Sequence, residues 1–158
     1  NTKIAWYISN GFLPDPANPY KYMFNEGYLP DYPFTNQSYG GTTSCVIVND
    51  RLVLDGTGTN TVAYPRIMTS NPIDMSNYTT LNIEYDSASI SNDLSGIAFG
   101  VYESDGTAIK NTSIMSAVSM MTISVDISDV NDGHVGIYGI GNDRGSISIS
   151  VKRIWLSH

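Results

Sequence analysis

From residue 44 onward the chain alternates apolar and polar residues with a period of two, and that pattern leaves little room for anything but strands. In TTLNIEYD (79–86), Leu81, Ile83 and Tyr85 alternate with Asn82, Glu84 and Asp86. In GIAFGVYES (96–104), Ile97, Phe99 and Val101 oppose Ala98, Gly100 and Tyr102. TISVDIS (122–128), HVGIYGIG (134–141) and SISISVKRIW (146–155) repeat the scheme, the last two joined by a GNDRG hairpin loop. CVIVNDRLVLDG (45–56) reads as two short β-branched runs folded about Asn49-Asp50. The run TVAYPRIMTS (61–70) is extended but carries Pro65, which cannot donate to a ladder, so it is expected at an edge or a bulge.

No segment has the spacing of a long amphipathic helix. TAIKNTSIMSAVSMM (107–121) is rich in β-branched and hydroxyl residues and reads as strand or irregular. NPIDMSNY (71–78) is expected to form a single helical turn. At least seven strands, each with one apolar face, must pack sheet against sheet. Their uneven lengths favour an all-β, two-sheet antiparallel β-sandwich of jelly-roll type over a barrel. A chain of 158 residues with 41% hydrophobic content makes one such core without staples. The single cysteine, Cys45, excludes an intramolecular disulfide and reads as a buried thiol. An opening Asn1 rather than Met is what a piece of something larger would show.

Charge narrows the partners. The formal net charge is −7, with only 8 Lys and Arg, scattered singly. Counterion release from nucleic acid needs clustered cations, so neither nucleic acid nor an anionic membrane surface is an expected partner. No apolar run approaches the ~20 residues of a membrane span.

Reactive constellations are missing as motifs. There is no metal-ligand spacing of His and Cys, no nucleophile elbow and no phosphate-cradling glycine loop. No cofactor and no metal are expected; a structural calcium would need acidic residues at ligand spacing that the chain does not present. His134 reads as a half-exposed strand residue. Glu84 and Asp86 share one strand face, roughly 6.5–7 Å apart along it. A carboxylate pair at such a separation serves an inverting glycosidase, but a solvated polar face explains it as well.

What remains is a surface for binding. Sugars offer C–H faces and hydroxyl rims, which flat aromatic rings and planar hydrogen-bonding groups match. Eleven tyrosines and abundant Ser, Thr and Asn suit that chemistry. Tyr85 falls on its strand's apolar face and is core. Tyr102 and Tyr138 fall opposite theirs, beside Ala98, Gly100 and Gly136, and are read as two exposed rings over a shallow floor. Arg66 and Arg144 are the candidate forked donors. Trp155, between Ile154 and Leu156, is read as core in preference to an inter-domain contact.

Near the start a phrase recurs: YISNGFLPD (7–15) and MFNEGYLPD (23–31). In the second copy Gly27 permits a positive-φ turn and Leu29-Pro30 sets an extended exit. The loop 28–39 that follows carries Tyr28, Tyr32, Phe34 and Tyr39, which serve either as the rim of a sugar site or as internal packing. Tyr32 and Tyr39 therefore join the candidate binding residues.

The runs YKYMFNEG (20–27), PIDMSNYTTLNIEYD (72–86), ISVDISDV (123–130), VGIYGIG (135–141) and ISISVKRIWL (147–156) together resemble a carbohydrate-binding-module-like β-sandwich. Such domains are appended to baseplate and distal tail proteins of phages and prophages of Gram-positive hosts. The resemblance implies a module over 20–158 with residues 1–19 as an N-terminal extension. It further implies non-catalytic binding to bacterial cell-wall polysaccharide from a virion tail. The alternatives are an assembly domain contacting other phage tail proteins and, third, a glycan hydrolase or lyase using Glu84 and Asp86. On the fold, far-UV circular dichroism is expected to show less than about a quarter helix, below the globular average.

Overall fold

The computed structural model describes residues 3, 20–27, 34–36, 38, 41–58, 66–91, 94–141 and 146–158. Among these residues are twelve strands: β1 (Lys21–Asn25), β2 (Phe34–Asn36), β3 (Gly41–Val48), β4 (Arg51–Gly58), β5 (Arg66–Thr69), β6 (Ile73–Asp74), β7 (Thr80–Ser91), β8 (Leu94–Tyr102), β9 (Ala108–Ile114), β10 (Met121–Asp126), β11 (Asp132–Gly141) and β12 (Ser146–Ser157). One sheet runs β10-β7-β12-β4-β3, the other β2-β5-β11-β8-β9. β1 continues along β12 where β4 stops, and β6 extends the row beside β11 where β5 stops. All pairings are antiparallel, as the alternation predicts for a jelly-roll sandwich.

The apolar sets read from the sequence meet between the sheets. Leu81, Ile83 and Tyr85 of β7 and Ile147, Ile149 and Val151 of β12 pack against Ile97, Phe99 and Val101 of β8 and Val135 and Ile137 of β11. Tyr85 lies wholly inside, and its hydroxyl donates to the Met115 carbonyl at 3.0 Å. That bond removes the penalty for an orphaned buried phenol.

β12 changes parity midway. Its register slips between Val151 and Arg153, so Lys152 and Arg153 both stay partly outside while Ile154 and Leu156 return to the core. β1 slips between Tyr22 and Phe24, and Met23 and Phe24 are both buried. Alternation then sends Trp155 outward, opposite Ile154 and Leu156. Trp155 is therefore not core: it lies half-buried on the outer face, its ring centroid 6.1 Å from that of Tyr22.

Two turns follow their residue chemistry. Asn49 and Asp50 sit at φ 50 and 63, closing the β3–β4 hairpin in the left-handed turn that its strand twist demands. Gly27, at φ 98, turns the chain after β1, and a Cβ there would come within 2.8 Å of Asp50 Oδ1, so the two turns abut. The first copy of the repeated phrase lies outside the described residues, as do 28–33.

Two local expectations are corrected. Residues 71–78 form no helix; Ile73–Asp74 pair with β11, and Asp74 Oδ1 then accepts from the backbone (3.0 Å) and hydroxyl (2.7 Å) of Ser76. An aspartate that bonds two residues ahead favours a turn over a helix. β5 is not an edge strand, because β2 pairs along its outer side. Pro65 itself lies outside the described residues.

Replacing Tyr85 with Ala is expected to cost about 3–5 kcal/mol of stability in urea denaturation. Tyr85→Phe, which loses the hydroxyl's bond to Met115 and its weak contact with Met121 Sδ, is expected to cost about 1 kcal/mol.

Candidate functional site

The outward face of the β2-β5-β11-β8-β9 sheet assembles three of the residues singled out by sequence. Register places Arg66, Tyr138, Ala98 and Ser113 in one row across β5, β11, β8 and β9. The next row holds Thr35, Met68, Gly136, Gly100 and Asn111. His134 and Tyr102 pair in the row after it. Two glycines thus lie side by side between the rows that carry the tyrosines. Over them the rings of Tyr102 and Tyr138 meet edge to face, 4.9 Å between centroids at 60°.

The glycines are a steric requirement. A Cβ on Gly136 would lie 2.9 Å from Tyr102 Cδ2, 2.9 Å from Met68 Cγ and 3.0 Å from the Ile67 carbonyl. One on Gly100 would lie 2.1 Å from the Lys110 carbonyl, where β9 closes in at its bulge. Any side chain at either position would displace a ring or a strand.

Arg66 reaches across this face. Its Cζ is 5.9 Å from the centroid of Tyr138, a cation–π approach. Its far side rests on Gly106, where a Cβ would fall 2.1–2.7 Å from the guanidinium. Gly106 adopts φ 89 in the β8–β9 turn. In that turn the backbone and hydroxyl of Thr107 hold the Asp105 carboxylate below its usual range. The Arg66 backbone is fixed by Ser38, whose hydroxyl accepts from the Arg66 N–H at 2.9 Å. His134 borders the face with Nδ1 2.8 Å from the Thr69 carbonyl; a carbonyl only accepts, so Nδ1 carries the proton.

One expectation is corrected. Tyr102 does point away from the core, but it is 0% exposed rather than a solvent-facing platform. Its ring lies over Gly136, where a Cβ would come within 2.9 Å of Cδ2. Tyr138 is half-buried and forms the accessible part of the pair. Burial pushes the Tyr102 phenol well above its ordinary range, and the neighbouring Tyr138 adds to this. The Tyr102 hydroxyl has no hydrogen-bond partner of good geometry among the described residues, although Tyr138 and Asn111 both lie close enough to influence its proton. Asn111 is the residue the sequence reading missed; only the β8–β9 register shows that it flanks Gly100. Arg144, Tyr32 and Tyr39 lie outside the described residues.

A second aromatic group occupies the outer face of the other sheet. Tyr20 and Tyr22 meet nearly perpendicular at 6.4 Å, and Trp155 lies beyond Tyr22. Its polar neighbours are engaged with one another. Arg153 pairs with Glu84 at 2.5 Å and with Glu26 at 2.9 Å, and its Nε donates to Asn25 at 3.1 Å. Asn82 donates to the Trp155 carbonyl and to Ser157, and accepts from Ser124 at 2.6 Å. Asp86 pairs with Arg51. Both carboxylates of the glycosidase alternative are thus held by arginines. Among the described residues, no three His, Cys, Asp or Glu side chains converge as a metal site.

No protein-family profile and no curated protein sequence matches the chain. Solved structures do. The family 11 carbohydrate-binding module of the cellulosomal cellulase Lic26A-Cel5E of Clostridium thermocellum superposes with a TM-score of 0.59 at 16% identity, over 89% of this chain and 95% of that one. A family 11 module from Clostridium thermocellum in complex with a β-1,3-1,4-mixed-linked tetrasaccharide gives 0.58 at 16% identity, over 89% and 96%. A family 29 module from Piromyces equi gives 0.50 at 14% identity, over 88% and 90%. The chain therefore has the fold of carbohydrate-binding modules.

Because Tyr102 is enclosed, Tyr102→Ala is expected to destabilise by about 3–5 kcal/mol, as much as Tyr85→Ala. Gly136→Ala is expected to cost about 1–3 kcal/mol by overpacking. Gly100→Ala, which meets backbone rather than side-chain ends, is expected to cost more than Gly136→Ala. Thermal and urea denaturation of the three variants checks the order.

Proposed function

We propose that the protein is a non-catalytic carbohydrate-binding module whose site is the outward face around Tyr138. The observation that carries this reading is the convergence of Tyr138, Tyr102 and Arg66 over Gly136 and Gly100. A partly exposed ring offers its face to sugar C–H groups, and a guanidinium beside it offers planar donors to adjacent hydroxyls. Tyr102, enclosed beneath, braces the Tyr138 ring that faces the ligand. Around Trp155, Arg153 is held by Glu84 and Glu26. The pairing of Glu84 with Arg153 and of Asp86 with Arg51 supports binding without hydrolysis.

The modules that share this fold include one solved with a mixed-linked β-glucan fragment, which makes β-glucans the first ligands to try. The finer reading is a bacterial cell-wall polysaccharide bound from a phage tail or baseplate. It rests on the resemblance of residues 20–156 to tail-protein modules. A shallow site of this kind binds weakly, and display in several copies raises avidity by about 10²–10⁴ without new contacts.

Native electrophoresis through gels containing β-glucans or Gram-positive wall polysaccharide tests the reading. The acidic protein is expected to be retarded by at least one of these polymers. Tyr138→Ala and Arg66→Gln are each expected to weaken retardation about five- to thirtyfold, the equivalent of one or two kcal/mol. Unchanged migration of the wild-type chain in every polymer overturns the proposal.

A further inference from the structure

We propose that two copies of this chain pair edge to edge through β3, antiparallel about a twofold axis at Val46. This proposal does not depend on the sugar site. Among the described residues β3 ends its sheet and pairs with β4 alone, matched residue for residue from Gly41↔Gly58 to Val48↔Arg51 with no bulge. The turn between them has two residues, so Val48 and Arg51 are the hydrogen-bonded pair that closes the hairpin. Alternation then directs the backbone N–H and C=O of Ser44 and Val46 to β4, and those of Thr43, Cys45 and Ile47 to the open side. Ser38 stands beside Thr43, its hydroxyl 2.5 Å from that of Thr43. The open stretch is therefore Cys45–Ile47. No backbone partner for it beyond β4 is found among the described residues.

The side chains make this edge unusual. Val46, Ile47 and Val48 are 51%, 45% and 48% exposed. Neighbours on a strand point to opposite faces, so the edge is apolar on both. Natural edges are protected by charge, proline, bulges or shortness, and the path-ending strands β2, β9 and β10 follow that rule. β2 has three residues. β9 has a bulge and carries Lys110, paired with Asp129 at 3.1 Å. β10 ends on the charged Asp126. β3 has eight residues, with no charge and no proline.

A second copy fits this edge better than an arbitrary strand because the pattern is self-complementary. With the axis at Val46, Cys45 and Ile47 of one copy face Ile47 and Cys45 of the other, and their outward donors and acceptors are all satisfied. Val46 meets its own counterpart in the close, non-hydrogen-bonded position, and Val48 falls opposite Ser44. No charge meets a like charge: Asp50 falls opposite Thr42. The two six-stranded sheets become one continuous sheet. Cys45, half-buried and pushed up to about 11 by burial, faces Ile47 of the other copy rather than its own counterpart. The pairing is thus independent of a disulfide.

Sedimentation velocity across a wide concentration range, with reductant present, is expected to show a monomer–dimer equilibrium. Val46→Lys is expected to weaken dimerisation at least about tenfold while leaving the melting temperature nearly unchanged. In a Cys45→Ser background, Val46→Cys places two thiols about 4.5 Å apart at Cα, within disulfide reach. Mild oxidation is expected to give a covalent dimer with Val46→Cys and not with Val48→Cys. A wild-type chain that stays monomeric at every concentration overturns the proposal. So does a dimer unaffected by Val46→Lys, or cross-linking at position 48 but not at 46.

Discussion

β12 is the strand on which the rest of the sandwich hangs. It pairs along its length with β7 on one side and with β4 and then β1 on the other. Twelve residues of unbroken alternation would send Ile154 and Leu156 to solvent if Ile147, Ile149 and Val151 faced the core. The slip at Lys152 resolves this conflict by spending one extra residue. The backbone there is secured by the Glu26 N–H donating to the Lys152 carbonyl at 2.9 Å. The two consecutive cations released to the outer face are met by Glu26 and Glu84. A packing requirement thus generates the ion cluster, which in turn fixes β1 beside β12.

On the opposite sheet the organising element is the absence of side chains. Gly136 and Gly100 lie next to each other on β11 and β8, and this lowers the sheet surface between two tyrosines. Tyr102 sinks into that depression, and Tyr138 leans on it from the neighbouring row. Arg66 then lies across Tyr138 with its guanidinium against Gly106. The face is built in order of depth: glycine floor, buried phenol, half-exposed phenol, cation. Each layer depends on the one beneath it, and the ring nearest solvent rests on a phenol that is itself enclosed. That hierarchy separates residues that hold the face in shape from those that present groups at its surface.

The two outer faces of the sandwich differ in how their polar groups are used. Around Trp155 and Tyr22, guanidinium, ammonium, carboxylate and amide groups largely partner one another, although Asp86 Oδ1 is buried without a hydrogen bond. Such a set locks geometry but leaves little hydrogen-bonding capacity for a ligand. Around Tyr138, Gly136, Gly100 and Ala98 floor the face and Arg66 lies over the ring. At the sandwich's rim, β3 presents a third kind of surface, apolar side chains beside open backbone groups.

The sequence by itself determined the architecture and most of the core. Alternation in TTLNIEYD, GIAFGVYES and SISISV assigns Leu81, Ile83, Tyr85, Ile97, Phe99, Val101 and Ile149 to one face without reference to any other strand. Asn49-Asp50 likewise specifies its own turn, because left-handed φ is a local cost that these residues tolerate. Alternation also showed that Tyr102 and Tyr138 point away from the core. Whether such a ring meets water is not a local matter. Only the tertiary structure placed Gly136 beside Gly100, brought Arg66 from β5 over Tyr138, enclosed Tyr102 and set Asn111 at the border. The same holds for Trp155, whose flanking Ile154 and Leu156 look like core neighbours until the slip at Lys152 assigns the parity. Side-chain direction is set by a residue's own strand, whereas burial of an outward side chain depends on register with strands distant in sequence.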